Sequence, residues 1–189
     1  MKMKILVLDI ETAGLNPTEP IVEIGAVLVD TDILSVEPVF HELINETNKK
    51  IDPHAWIFEH STLKYDEIQK EGKDLEDLRQ SLQLLFDSYP ATAFNRAFDF
   101  SFLRARGFKI ENVAPDPMFI AKDILNIHHS YYGKKWPKVQ ECLDYFKINE
   151  KEPHRALGDV IQEGRIIVEL IKLKKYPLEL IAGEINSPH

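Results

Sequence analysis

Ile5 to Glu11 (ILVLDIE) is apolar on both faces of an extended chain, except for the two acids set into it at Asp9 and Glu11. Residues two apart in a strand share a face, so Ile5, Val7, Asp9 and Glu11 line one side and Leu6, Leu8 and Ile10 the other. Such a run predicts a central strand covered on both faces. Thr12-Ala13-Gly14-Leu15-Asn16-Pro17 is turn chemistry. Ile21 to Asp30 alternates and is rich in β-branched residues, and Ile33 to Ile44 reads as a third strand after the short Thr31-Asp32 link. The short connections predict an antiparallel meander.

Beyond it the pattern turns helical. Asp52-Pro53 resembles an N-cap followed by proline at the first helical position, which predicts a short helix over Pro53 to Glu59. Leu75, Leu78, Leu82, Leu85 and Phe86 recur at helical spacing and predict a helix over Leu75 to Asp87. Ala91 to Phe94 is a candidate buried strand, and Phe98 to Arg106 a helix ended by Gly107. Pro115 and Pro117 bracket a loop, Met118 to Ile120 reads as a strand, and Lys122 to Ile127 as a helical turn or two. Lys138 to Phe146 is helical, and Arg155 to Lys174 is the longest helix, with Leu157, Val160, Ile161, Val168 and Ile171 as its buried stripe. Strands first, then strands alternating with helices, predict a mixed α/β sheet in one domain over residues 1–189.

Composition narrows the class. The chain has 189 residues, 44% of them hydrophobic and 29% charged, as in an ordinary soluble globular protein. A net charge of −8 argues against a general basic clamp for nucleic acid, although metal ligands would themselves add acids. The single Cys142 excludes an intramolecular disulfide and a multi-cysteine zinc site. With no leader-like segment and no apolar run long enough for a membrane, the expected location is cytoplasmic, with no membrane partner.

The acid pairs differ in context. Acid-x-acid occurs at Asp9/Glu11, Asp30/Asp32, Asp74/Glu76 and Glu150/Glu152, and only the first lies within an apolar strand. Two carboxylates side by side at the end of a core strand repel unless a cation lies between them. Hard oxygen ligands suit Mg²⁺ or Mn²⁺ better than zinc. Asp99 follows a short apolar strand and opens a helix among Phe98, Phe100 and Phe102, where an acid also suits the helix dipole. Asp159 lies early on the longest helix, again where an acid is welcome. His154 lies five residues earlier, and five helical steps of ~100° would put the two on different faces. His154 is therefore expected in the loop before the helix, free to swing towards a bound water or simply solvated.

Taken together, Asp9-Ile10-Glu11-Thr12-Ala13-Gly14-Leu15, then Asn95-Arg96-Ala97-Phe98-Asp99, then His154 with Asp159, resemble the three motifs of the DEDDh, or DnaQ-like, 3′→5′ exonucleases. The resemblance runs from about Lys4 to Leu173. It implies a ribonuclease-H-like fold, a five-stranded mixed sheet with helices on both sides, and removal of nucleoside 5′-monophosphates from the 3′ end of single-stranded DNA or RNA. It further implies two divalent cations, Mg²⁺ or Mn²⁺, about 3.5–4 Å apart. By the same resemblance Asp9 bridges both ions, Glu11 and Asp159 complete the first, Asp99 serves the second, and His154 is the general base. Thr12 and Leu15 would meet the terminal nucleotide, with Asn95 and Phe98 as the opposite wall, though Leu15 and Phe98 also fit a core role.

Several departures from the family pattern stand out. His60-Ser61-Thr62 lies where relatives carry His-Gly, Phe94 replaces a common histidine, and Ala13 replaces a common threonine. Gly133 to Trp136 (GKKW) is either a backbone-phosphate contact or a solvated loop with a packing tryptophan. A homodimer, or a subunit of a repair, replication or RNA-processing assembly, fits the resemblance. So do a catalytically silent scaffold and a phosphodiesterase of short oligonucleotides.

Overall fold

The computed structural model describes residues 3–129, 133–151 and 154–185. Three long strands lead the chain: β1 (Lys4–Thr12), β2 (Ile21–Asp30) and β3 (Ser35–Leu43). Then follow α1 (Trp56–His60), α2 (Tyr65–Glu71), α3 (Leu75–Ser88), β4 (Ala91–Thr92), α4 (Arg96–Ala105) and α5 (Pro117–Leu125). The short β5 (His128–His129) and β6 (Gly133–Lys134) precede α6 (Val139–Phe146), α7 (Ala156–Lys172) and α8 (Leu178–Ile185). The main sheet has the order β3-β2-β1-β4, with β1–β2 and β2–β3 antiparallel and β1–β4 parallel.

Among the described residues that sheet has four strands, not the expected five. The outer place is held by one parallel bridge between Ala91 and Val113. The Ala91 amide donates to Asn112 O (2.9 Å), and the Ala114 amide donates to Ala91 O (2.8 Å). Pairing stops there because Pro115 follows, and Asp116 then caps a helix by accepting from the Met118 amide (2.9 Å). With Pro117 in its first turn, α5 occupies the stretch over which a Met118–Ile120 strand was expected. At the other Asp-Pro pair, Asp52 accepts from the His54 amide through its side chain (2.9 Å) and from the Ala55 amide through its carbonyl (3.0 Å), which closes a turn, and α1 begins at Trp56 instead of Pro53.

The alternation in β1 sorts its residues as expected. Leu6, Leu8 and Ile10 pack with Leu78, Leu82, Phe86, Phe100 and Leu103 of α3 and α4. Ile5 and Val7 pack on the other side, with Ile166 and Leu170 of α7 and with Cys142 and Leu143 of α6. Asp9 and Glu11 therefore face α7. That helix lies close on the sheet. A Cβ on Gly164 would come within 2.8 Å of Val36, and one on Gly25 within 2.6 Å of the Ala156 backbone. Gly25 pairs with Asp9 in register, so its missing side chain lets the first turn of α7 settle over the acid-bearing end of β1.

The stripe expected for α7 is too narrow. Leu157, Ile161 and Ile171 are only partly buried, whereas Asp159, Gln162, Glu163 and Gly164 are buried along with Val160, Ile166 and Ile167. A helix with a sheet on one side and α5 and α6 on the other is covered over more than one stripe. No helix among the described residues is long and apolar enough to cross a membrane.

Candidate active site

Three segments meet at the C-terminal end of β1. The strand supplies Asp9 and Glu11, the turn from β4 into α4 supplies Asn95, Phe98 and Asp99, and the start of α7 supplies His154 and Asp159. Asp9, Glu11 and Asp159 each offer a carboxylate oxygen, and the three oxygens lie within 4.8 Å of one another. Asp99 is buried behind them and ties α4 to the strand by accepting from the Ile10 amide (Oδ1–N 3.2 Å). Asp159 has a structural duty as well: its Oδ2 accepts from the Arg155 amide at 3.0 Å, closing the first turn of α7.

Two of the other acid-x-acid pairs, Asp30/Asp32 and Asp74/Glu76, do not build such a group among the described residues. Asp30 closes a turn by accepting from the Asp32 and Ile33 amides, and Asp74 caps α3 through the Glu76 amide. Glu152, of the last pair, lies outside the described residues, as does Pro153 in the His154 motif.

The site is electrostatically loaded. Burial pushes the Asp9 carboxyl well above the usual range, and Glu163, Glu11, Asp99 and Asp159 push it further. Burial raises Asp99 to about 8 against the pull of its own and the Ile10 amide, with Asp116 adding to the rise. Asp9 Oδ2 is buried and accepts no hydrogen bond. An orphaned carboxylate oxygen among converging acids fits a cation bound by hard oxygen ligands, and the donor set contains no cysteine.

One acid of this cluster escaped the sequence reading. Glu163, buried one turn after Asp159 on α7, accepts from the Phe94 amide (Oε2–N 3.2 Å). Burial raises its carboxyl well above the usual range, and Asp99 and Asp159 raise it further. The available signal was an acid at i+4 from Asp159 within an apolar helix face.

His154 lies before the helix, as expected, in the left-handed region (φ 50°). Its ring stands edge-on to exposed Trp56, with centroids 6.0 Å apart. The segment is held from below by Glu23, which is wholly buried in β2. Glu23 accepts from Arg155 Nε (3.0 Å) and Nη2 (2.9 Å), from the Ala156 amide (3.0 Å), and pairs with His41 Nε2 (2.7 Å). Burial alone would raise the Glu23 carboxyl, but Arg155, His41 and the Ala156 amide together hold it below the usual range. A lone acid in an apolar strand was the signal for Glu23.

Of the remaining expected residues, only Asn95 lines the groove that holds Asp9 and His154. Thr12 ends β1 at a bulge, and its hydroxyl donates to Gly14 O (2.6 Å). Leu15 is 85% exposed, so a core role is excluded for it. Phe98 is half-buried against Phe102, with centroids 4.9 Å apart. Asn95 is exposed and left-handed (φ 66°), and Asp116 fixes that turn by accepting from the Asn95 (3.3 Å) and Arg96 (2.9 Å) amides. Asp9, Trp56, Asn95, His154 and Glu163 all line one open groove of about 990 Å³. His60, whose ring stacks on Trp56 at 4.5 Å, stands at the edge of this region.

The model of the RNase_T exonuclease family matches residues 6–166. No curated protein sequence matches the chain. Among solved structures, it superposes on the 3′-exonuclease of a structure concerned with 3′-end-specific recognition of histone mRNA stem-loop. That match has a TM-score of 0.69 at 14% identity, over 93% of this chain and 84% of the other. The nuclease domain of 3′hExo, a DEDDh family member bound to rAMP, gives 0.65 at 14% identity, over 90% and 92%. E. coli Exonuclease I in complex with a dA16 oligonucleotide gives 0.70 at 16% identity, over 95% of this chain and 42% of that one. At these identities the structural matches establish the fold, a ribonuclease-H-like α/β architecture.

Proposed function

The chain belongs to the RNase_T exonuclease family, and on that premise we propose that it removes nucleoside 5′-monophosphates from the 3′ end of single-stranded nucleic acid. The observation that carries this reading is the convergence of Asp9, Glu11 and Asp159 within 4.8 Å, with Asp99 buried behind them. In this reading residues 1–189 act as one exonuclease domain.

Asp9, Glu11 and Asp159 would hold one divalent cation, and Asp9 with Asp99 a second. Mg²⁺ or Mn²⁺ bound there would neutralise the clustered carboxylates and stabilise negative charge on the attacking and leaving oxygens. His154, in the loop before α7, would accept the proton of the attacking water on a ring nitrogen. Exposed Leu15 presses on the terminal base, and Phe98 offers a ring face opposite it. Thr12 and Asn95 orient the terminal nucleotide through their polar groups. Glu23 and Arg155 keep His154 and Asp159 in place through the first turn of α7.

Incubation of single strands labelled at the 3′-terminal nucleotide, DNA and RNA separately, with Mg²⁺ or Mn²⁺ tests the reading. Labelled mononucleotide should appear from the first turnover, and Asp9→Ala should abolish it. Absence of release from both strands, or release that persists in Asp9→Ala, overturns the proposal.

A further inference from the structure

The groove that holds Asp9 and His154 continues along a wall formed by Met118 of α5 and by Pro137 and Lys138 just before α6. Next to Met118 and Pro137 in the chain are Phe119 and Trp136, which are 55% and 45% exposed. Their rings meet edge to face with centroids 4.6 Å apart. Lys122 Nζ lies 3.4 Å from the centroid of the Trp136 ring. An aromatic pair this exposed contributes little to the core, yet it is held in a fixed arrangement with an ammonium at its face.

Charge on this wall runs against that of the whole chain, which is −8. Two acids of this region, Asp123 and Glu141, already have lysine partners. Asp123 pairs with Lys134 (2.7 Å), Glu141 pairs with Lys135 (2.5 Å), and Asp144, which lines the groove, accepts from Gln140 (2.9 Å). Lys138 and Lys151 line the same stretch, and among the described residues neither they nor Lys122 form an ion pair. Exposed rings with an ammonium at one face, adjoining in the chain two residues that line an acid-floored groove, have the chemistry that a single strand requires. Every base has a π-face to stack, and every linkage carries a negative charge.

We propose that Phe119, Trp136 and Lys122 form a second subsite, which holds the single strand on the 5′ side of the scissile linkage. Bases of the strand stack on the exposed rings, while Lys122, Lys138 and Lys151 meet its phosphates. The inference rests on the exonuclease reading for the direction of the strand. On this proposal, strands that reach the pair are held more tightly than a dinucleotide confined to the acid floor.

The test compares wild type with a Phe119→Ala/Trp136→Ala double variant and with Lys122→Gln. Binding of a fluorescent 12-mer is measured by anisotropy in EDTA, and turnover of the 12-mer and of a dinucleotide is measured with Mg²⁺. The double variant should bind the 12-mer about tenfold more weakly or worse, with a matching rise in its KM. Its kcat and KM for the dinucleotide should stay within about twofold of wild type, because the variant spares every residue on the acid floor. Lys122→Gln should lower the salt dependence of 12-mer binding by close to one counterion.

Unchanged 12-mer binding in the double variant overturns the subsite whatever the activity. So does equal damage to both substrates, or conversion of a dimer to a monomer, which would assign the pair to a second copy of the chain. Wild type that binds the 12-mer through these rings but degrades neither substrate would keep the subsite and overturn the exonuclease reading.

Discussion

Glu23 and Glu46 are buried as deeply as Asp99 and Glu163, but each of the first two lies against an arginine, and neither of the second two does among the described residues. Arg155 closes on Glu23 through two nitrogens, and Arg106 closes on Glu46 at 2.7 and 2.6 Å. Arg106 also donates to Pro17 O and Glu19 O, so the pair fastens the loop after β1 that carries Leu15. These acids are structural. Their charge is cancelled within the chain by forked, charge-assisted bonds. At the end of β1 the opposite holds: Asp9, Asp99 and Glu163 face one another, and their carboxyls are raised by burial and mutual repulsion. A fold able to place arginines beside buried acids has left them out here, which is the behaviour of a site whose counter-charge arrives from outside.

Substitutions separate the two classes. Asp9→Asn should reduce nuclease activity by about a thousandfold or more while raising the Tm of the metal-free protein, because it removes a charge from a repelling cluster. A fall in that Tm would place Asp9 with the structural acids. Glu23→Gln should do the reverse. It should lower stability by about 3 kcal/mol in urea unfolding, because Arg155 keeps its charge and is left with only the longer contact to Glu67 (3.6 Å). Activity should also fall, through displacement of His154 and Asp159, and a variant as stable as wild type would show that the ion pair does not hold α7 down. Glu11→Gln should cost less than Asp9→Asn, since it should weaken one ion and not both; equal and mild losses in the two variants would contradict the unequal roles.

The pH dependence of the metal-free protein is a smaller effect of the same kind. Asp9, Asp99 and Glu163 hold their protons to higher pH when folded than when unfolded, so the folded state binds more protons over that window. Stability they contribute is present below the usual carboxylate range near ~4 and is lost as pH rises towards about 8, the value for Asp99. In EDTA the Tm should therefore decline from pH 5 to pH 8, and saturating Mn²⁺ should flatten the decline. A Tm that rises over this range in EDTA would mean that the cluster is not loaded as described.

The same contrast marks what could be read from the chain. The meander, α3 and α7 were legible because two-residue alternation and helical spacing report directly on which side is buried. The grouping of Asp9, Glu11, Asp99 and Asp159 came from the resemblance of three motifs to a known family and not from periodicity. Glu163 and Glu23 were not legible, because each is a single acid inside an apolar segment, and only tertiary packing says whether a cation lies beside it. Asp-Pro occurs at Asp52 and Asp116, and the two pairs have opposite outcomes. The chain turns after Asp52, whereas Asp116 caps α5 and braces the Asn95 turn, so an N-cap signature names a helix start only when the packing that follows agrees. The fifth strand shrank to a bridge at Ala91 and Val113 because Pro115 and the cap at Asp116 follow at once.

Calorimetric titration of the protein with Mn²⁺ at pH 7, in two buffers of different ionisation enthalpy, tests the central claim most directly. The account predicts two ions per chain, bound with net release of protons from the raised carboxyls, and loss of that binding in Asp9→Asn. Binding of unchanged stoichiometry in Asp9→Asn, or binding that releases no protons, would contradict it.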